Sequence, residues 1–271
     1  MVKDRLIFNR IVRGLLGLLI SLVLLIRFGL AWSWSFHGDE FHFLSIVHQL
    51  TRDELVTPLQ TFHARIFFWV TYISSDISAL MTGRLLMWGL SVISAIGIFF
   101  LNRTLFSTLP SLLAVVWYET FRETFEHGSA FRYDPLITFL AICSCLLLAR
   151  TGIKHAILGG VLFGIALAIS LKSILLMLPV IFLGGVLYLH NNLTPTSSWG
   201  LLLSKRSFCF WTVACVIFLV FIFLHRSLLH SNGTFDTVKR VQEISTGFLF
   251  DWGPFVPGRE LLLSAVKIGR A

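Results

Sequence analysis

Apolar residues run along this chain in stretches long enough to cross a bilayer, and polar residues gather between them. The stretches cover roughly residues 11–34, 84–101, 105–120, 135–150, 156–172, 173–190 and 208–225. A bilayer core is crossed by a helix of about 20 mostly apolar residues. The pattern therefore predicts an all-α, polytopic transmembrane helix bundle of about seven spans. The first stretch is too long and too basic-flanked for a cleaved signal, and no small-residue cleavage pattern follows it, so it reads as a retained span. A further apolar segment, 65–81, is broken by Ser74, Ser75 and Asp76. It reads as a helix lying at the membrane interface.

The basic residues orient these spans. Lys3, Arg5, Arg10 and Arg13 precede the first span and predict a cytoplasmic N-terminus. Arg103, the Arg150/Lys154 pair and the Lys205/Arg206 pair fall on the same side if 65–81 does not cross. Residues 35–83 then form one long outer loop. Of the 14 acidic residues, only Asp4 is cytoplasmic; the others fall in 35–83, about 118–134, and 226 to the end. Longer outer loops account for this bias, and so does an acidic, functional outer face. Residues 1–225 are expected to form the transmembrane module, and 226–271 an outer-side tail that opens a further C-terminal region.

Composition agrees with the pattern: 56% of residues are hydrophobic and 13% charged, against about a quarter charged in soluble domains. The net charge of +8 does not argue for nucleic acid, because the cations sit between apolar runs as topology signals. Cys143, Cys145, Cys209 and Cys215 lie within apolar runs and read as buried small residues, not a metal or disulfide framework.

Four constellations carry possible chemistry. Asp39-Glu40, flanked by His37 and His42, stands at the mouth of the first span. A carboxylate there can serve as the base that takes a proton from an acceptor hydroxyl; the same pair can simply open the next helix, where acids complement the dipole. Arg132-Tyr133-Asp134-Pro135 heads the fourth span. Asp134 there is either an ordinary N-cap or a second acid on the outer face, orienting an acceptor or holding a divalent cation, with Glu123, Glu126 and His127 in the same loop. Lys172 divides two spans near the outer surface and either snorkels to headgroups or binds a lipid phosphate. The stretch from Thr57-Pro58 through His63 and Arg65 to Phe67-Phe68-Trp69 fits a lipid phosphate and its chain, or an aromatic belt. Arg84 has the same two readings, and Arg27, within the first span, either snorkels or faces the bundle.

In their order along the chain, these motifs resemble the polyprenyl-phosphate-sugar-dependent membrane glycosyltransferases of the C-type (GT-C) fold. Protein O-mannosyltransferases, the aminoarabinose transferases of lipid A and bacterial envelope glycosyltransferases belong to that clan. The resemblance covers roughly residues 10–225 and rests on Asp39-Glu40, Thr57-Pro58, the stretch around Arg65, Arg84-Leu85, Arg132-Tyr133-Asp134 and Leu171-Lys172-Ser173. It implies a GT-C bundle whose first outer loop carries interfacial helices, and an inverting sugar transfer on the outer face. The sugar would pass from a polyprenyl-phosphate carrier to a lipid, glycan or protein acceptor. Asp39 would be the catalytic base, Glu40 would assist it or position the acceptor, and Asp134 would be the second acid of the site. Lys172 and Arg65 would hold the donor phosphate, with His37, His63, Arg84 and Arg132 accessory. Where the lipid A enzymes often carry Lys-Pro-Pro, this chain has His63-Ala64-Arg65-Ile66. The expected location is a bacterial inner membrane with a periplasmic site. A transporter or flippase using Asp39, Asp134 and Lys172 as its path, or an inactive fragment of the enzyme, are the competing readings; acids at one surface and the lack of an internal repeat weigh against the transporter.

Overall fold

The structure, a computed structural model, describes residues 2–33, 36–55, 61–150, 152–192 and 199–229. It is mostly helical, with no strand among the described residues. Among the described residues three helices are long and apolar enough to cross a membrane, within α1 (Val2–Ser33), α4 (Asp76–Arg103) and α10 (Trp199–Ser227). Shorter apolar helices pack among them: α7 (Tyr133–Ala149), α8 (Ile153–Ile169) and α9 (Met177–Asn192). At 1.5 Å per residue a 17-residue helix such as α7 is about 25 Å long, somewhat short of a core about 30 Å thick. α5 (Thr108–Thr120) is shorter again.

The segment 65–81 is not one interfacial helix. It contains the end of α3 (His63–Ile66), a 3-10 turn over Phe68–Tyr72 and the start of α4. The cause is local. Ser75 is extended and its hydroxyl accepts the Ser78 amide, an N-cap that starts α4 at Asp76, well before residue 84. Likewise the expected span at 173–190 begins with a 3-10 turn over Leu171–Leu176, with Lys172 in it, before α9 takes over.

Two packing devices set the bundle. The most extensive helix pairings are α8 with α10, α7 with α8, and α4 with α7. α8 meets α10 through Gly160 and Gly164. A Cβ on Gly160 would lie 2.5 Å from the Phe210 carbonyl oxygen, and one on Gly164 2.6 Å from that of Ala214. Glycines four apart thus let two helix backbones touch, a recurrent solution where lipid removes the hydrophobic drive between helices. The second device is ionic. Arg27 of α1 is fully buried and pairs with Glu119 of α5, while its Nη2 donates to Ser91 Oγ of α4 at 2.8 Å. Arg27 therefore faces the bundle and ties three helices together.

The ends of the bundle differ. At one end Arg206 of α10 donates to the backbone carbonyls of Leu148 and Arg150, capping the C-terminus of α7. At the other end, where α7 begins, stand α2 (Gly38–Thr51), α3, α6 (Arg122–His127) and the chain around Ser170. Every ionisable group singled out for chemistry lies at that second end. Thr57-Pro58 and residues 230–271 lie outside the described residues.

Candidate functional site

The site is built on the start of α2. His37 is the N-cap, its ring accepting the Asp39 amide at 3.4 Å while the Glu40 carboxylate accepts the His37 amide at 2.9 Å. This reciprocal cap fixes Asp39 and Glu40 in the first turn and sends their side chains in different directions.

Glu40 points inward and is fully buried. Its Oε1 accepts Arg84 Nε at 2.8 Å and the Phe131 amide at 2.8 Å; its Oε2 accepts Arg84 Nη2 at 2.6 Å and the His37 amide. All four acceptor positions of the carboxylate are used. Burial pushes its pKa up, but the Arg84 hydrogen bonds, the two amides and the Arg84 charge outweigh this and hold it below the ordinary 4.5. The expectation that Glu40 positions an acceptor is corrected: it has no lone pair left for one. Arg84, stacked over Phe36 at 4.4 Å, is likewise committed to this strut rather than to a lipid phosphate. The strut joins α2, α4 and the loop before α7.

Asp39 turns outward, with half its side chain exposed. Arg132 Nη1 lies 3.1 Å from Asp39 Oδ2, and Arg132 Nε lies 3.0 Å from Asp134 Oδ2, an ion-pair contact whose angle falls short of a hydrogen bond. Arg132 therefore brings together the two acids that lie 95 positions apart in the sequence. It is also the N-cap residue of α7, so Asp134 is not the cap that an Asp-Pro pair suggests. Asp134 sits inside the first turn with its carboxylate free to face Arg132.

Two clefts open beside this group. One, of about 290 Å³, is lined by Arg132, Asp134, Lys172, Glu123, His127 and neighbours on α5 and α7. Lys172 is exposed there; its Nζ stands 6.0 Å from the Tyr133 ring centroid and makes no ion pair among the described residues. The other, of about 310 Å³, is lined by His37, Glu126, His127 and Ser129 at its polar side, and by Leu30, Ala31 and Phe36 at its apolar side, with the Glu40–Arg84 strut behind. His127 belongs to both, its ring 5.8 Å from that of His37. Asp39 itself lines neither cleft but contacts one wall residue of each. One neighbour, His37 (Nδ1 3.7 Å from Asp39 Oδ2), lines the second cleft; the other, Arg132, lines the first.

Two expected site residues are elsewhere. His63 is buried against Phe43 and Tyr133, with ring centroids 4.6 and 5.6 Å away. Arg65 Nε donates to His225 Nδ1 at 2.8 Å, and His225 Nε2 is 2.9 Å from Thr61 Oγ1. Burial lowers the Arg65 pKa from its ordinary value. Both residues fasten the first loop, His63 to α7 and Arg65 to the end of α10, and neither lines either cleft. A divalent cation between Asp39 and Asp134 does not fit the residues as placed, because the Arg132 guanidinium stands between the two carboxylates; the described residues contain no cluster of three His, Cys, Asp or Glu side chains spaced to hold a metal. Sequence reading missed the bridging part of Arg132 and the shared wall at His127. The chain matches no protein-family model, no curated protein and no solved structure.

Proposed function

We propose that this membrane protein is an inverting glycosyltransferase of GT-C type that moves a sugar from a polyprenyl-phosphate carrier to an acceptor hydroxyl. The observation that carries this reading is Asp39, a half-exposed carboxylate at one end of a helix bundle that contacts one wall residue of each of two clefts, His37 and Arg132. A two-substrate transfer needs such a base between its substrates.

The donor takes the cleft that holds Lys172 and Arg132, cations suited to a phosphate. The acceptor takes the cleft beside His37. Asp39 removes the proton from the acceptor hydroxyl. The acceptor oxygen then attacks the anomeric carbon from the face opposite the phosphate, a C–O bond forms, and the sugar–phosphate C–O bond breaks. The polyprenyl phosphate departs with the bonding electrons, its added charge met by Lys172, and the anomeric configuration inverts. Arg132 orients Asp39 and Asp134 against each other. Asp134 lines the donor cleft and is positioned to accept hydrogen bonds from sugar hydroxyls.

The basic residues that flank the opposite end of the bundle support an extracytoplasmic site and a cytoplasmic N-terminus; we place this multi-pass chain in a bacterial inner membrane, with the site periplasmic. The test is transfer of labelled sugar from polyprenyl-phosphate donors in membranes containing this chain. Product is expected from the wild type and not from Asp39→Asn. Flux of the donor across the membrane without any transfer would overturn the enzyme reading in favour of a flippase.

A further inference from the structure

The cleft beside His37 has two chemically different sides, and that difference bears on the acceptor. Its rim is polar, with His37, Glu126, His127 and Ser129. Its only fixed cation, Arg84, is held bidentately by Glu40, and Glu126 is paired with Arg122 at 3.1 Å. The rim thus offers imidazole, hydroxyl and carboxylate hydrogen-bonding groups, a set that suits hydroxyls, while its guanidinium is already engaged by a carboxylate. The inner wall is apolar and comes from Leu30 and Ala31 of α1 with Phe36.

That wall does not end at the cleft. Ile26, Leu22 and Leu19 follow Leu30 at helical spacings of four, four and three, so they continue one face of α1. All three are exposed, at 44%, 52% and 40%. From Leu30 to Leu19 the stripe runs about 16 Å, close to the depth of one leaflet of a core about 30 Å thick. A hydroxylated head in the cleft would therefore have an apolar track for its chain leading straight into the bilayer. A soluble glycan or a polypeptide would gain nothing from that track.

We infer that the acceptor is a lipid with an uncharged, hydroxyl-bearing head group, seated in the His37 cleft with its acyl chain along Leu30, Ile26 and Leu22 of α1. This rests on the glycosyltransferase reading for the word acceptor, but the lipid site itself does not.

The test uses the full chain in nanodiscs and reads capture without any transfer. The probe is a monoglucosyl diacylglycerol with a diazirine in its acyl chain, mapped by mass spectrometry after illumination. Parallel reactions use a diazirine-tagged trisaccharide and a diazirine-tagged serine-rich peptide. Capture is expected at Leu22, Ile26, Leu30 and Phe36, competed by the unlabelled glycolipid and not by phosphatidic acid. Leu30→Trp, which fills the mouth of the track, is expected to lower capture about tenfold, whereas Trp at the lipid-exposed Leu25 leaves it unchanged. Capture spread evenly over the exposed faces of α1, competition by phosphatidic acid, or labelling of the cleft by the trisaccharide or the peptide instead would each overturn the inference. The mapping on the wild type decides even if Leu30→Trp fails to fold. Capture at the site by a chain that transfers no sugar would remove the enzyme reading and leave the lipid site. Transfer to a soluble acceptor without lipid capture would do the reverse.

Discussion

Replacing Glu40 by Gln tests whether the site rests on the buried strut. In the wild type one carboxylate accepts four hydrogen bonds, two from Arg84 and one each from the His37 and Phe131 amides. The Gln oxygen can keep two. Its amide nitrogen then faces N–H donors, so the other two bonds are lost and the buried Arg84 charge loses this carboxylate. Removing one member of a buried pair costs about 3–5 kcal/mol, and a single orphaned buried amide about 1–3 kcal/mol; the two overlap, so the expected loss is about 3–5 kcal/mol. The assay is equilibrium unfolding of the full chain by SDS in mixed micelles, followed by circular dichroism. The double variant Glu40→Met/Arg84→Met removes both charges together and is expected to lose less than Glu40→Gln alone, since well-packed apolar replacements of buried pairs are often neutral. The strut also carries a pH signature. Because the folded Glu40 carboxyl titrates below its ordinary 4.5, its contribution is complete above about pH 4.5 and is lost as pH falls through the lower folded value; the Gln variant lacks that component. A Glu40→Gln protein within about 1 kcal/mol of the wild type, or single-variant losses that simply add in the double variant, would refute the reasoning.

Other substitutions address other links. Gly83→Ala brings a methyl group to 2.6 Å from Phe131 Cγ; it is expected to cost about 1–3 kcal/mol by overpacking and, by pushing Phe131 off Glu40, to weaken Glu40→Gln's effect when the two are combined. Gly164→Leu forces α8 away from the Ala214 carbonyl of α10 and is expected to give a chain that inserts but unfolds at markedly lower SDS fraction, with little change for Gly14→Leu, whose Cβ would meet nothing within 4 Å. Lys172→Ala, at an exposed position without an ion-pair partner, is expected to leave stability within about 0.5 kcal/mol and to raise the Kd for a polyprenyl-phosphate sugar about tenfold or more, measured by equilibrium binding.

The long spans were legible from their apolar runs, because length and hydropathy decide a crossing helix with little help from tertiary contacts. α1 and α10 cover nearly all of their expected ranges, 11–34 and 208–225, and start earlier, at Val2 and Trp199. At α4, Ser74, Ser75 and Asp76 look like an interruption of an apolar segment, yet Ser75 followed by an acid is a helix start. The expected gathering of Asp39, Asp134 and Lys172 near one end followed from counting crossings, and all three do lie at one end of the bundle. What the spacing could not give was partnership. Glu40 and Arg84 are 44 positions apart, and adjacent acids in one helical turn point about 100° apart, so only the fold decides that Glu40 is buried and Asp39 is not. Arg65 read as a phosphate contact because a cation beside aromatics fits an interface. Its engagement by His225, 160 positions on, has no local signal. The Gly160–Gly164 spacing, by contrast, is a helix-contact signal carried by the sequence itself.

The most direct measurement of the central claim is donor binding and sugar transfer on the same Asp39→Asn preparation. A base acts only in the transfer step, so binding of the polyprenyl-phosphate sugar is expected to stay within about twofold of the wild type while transfer falls by a factor of about 10²–10⁴. Transfer that survives in Asp39→Asn, from a chain whose wild type is active, would contradict the assignment of Asp39 as the base.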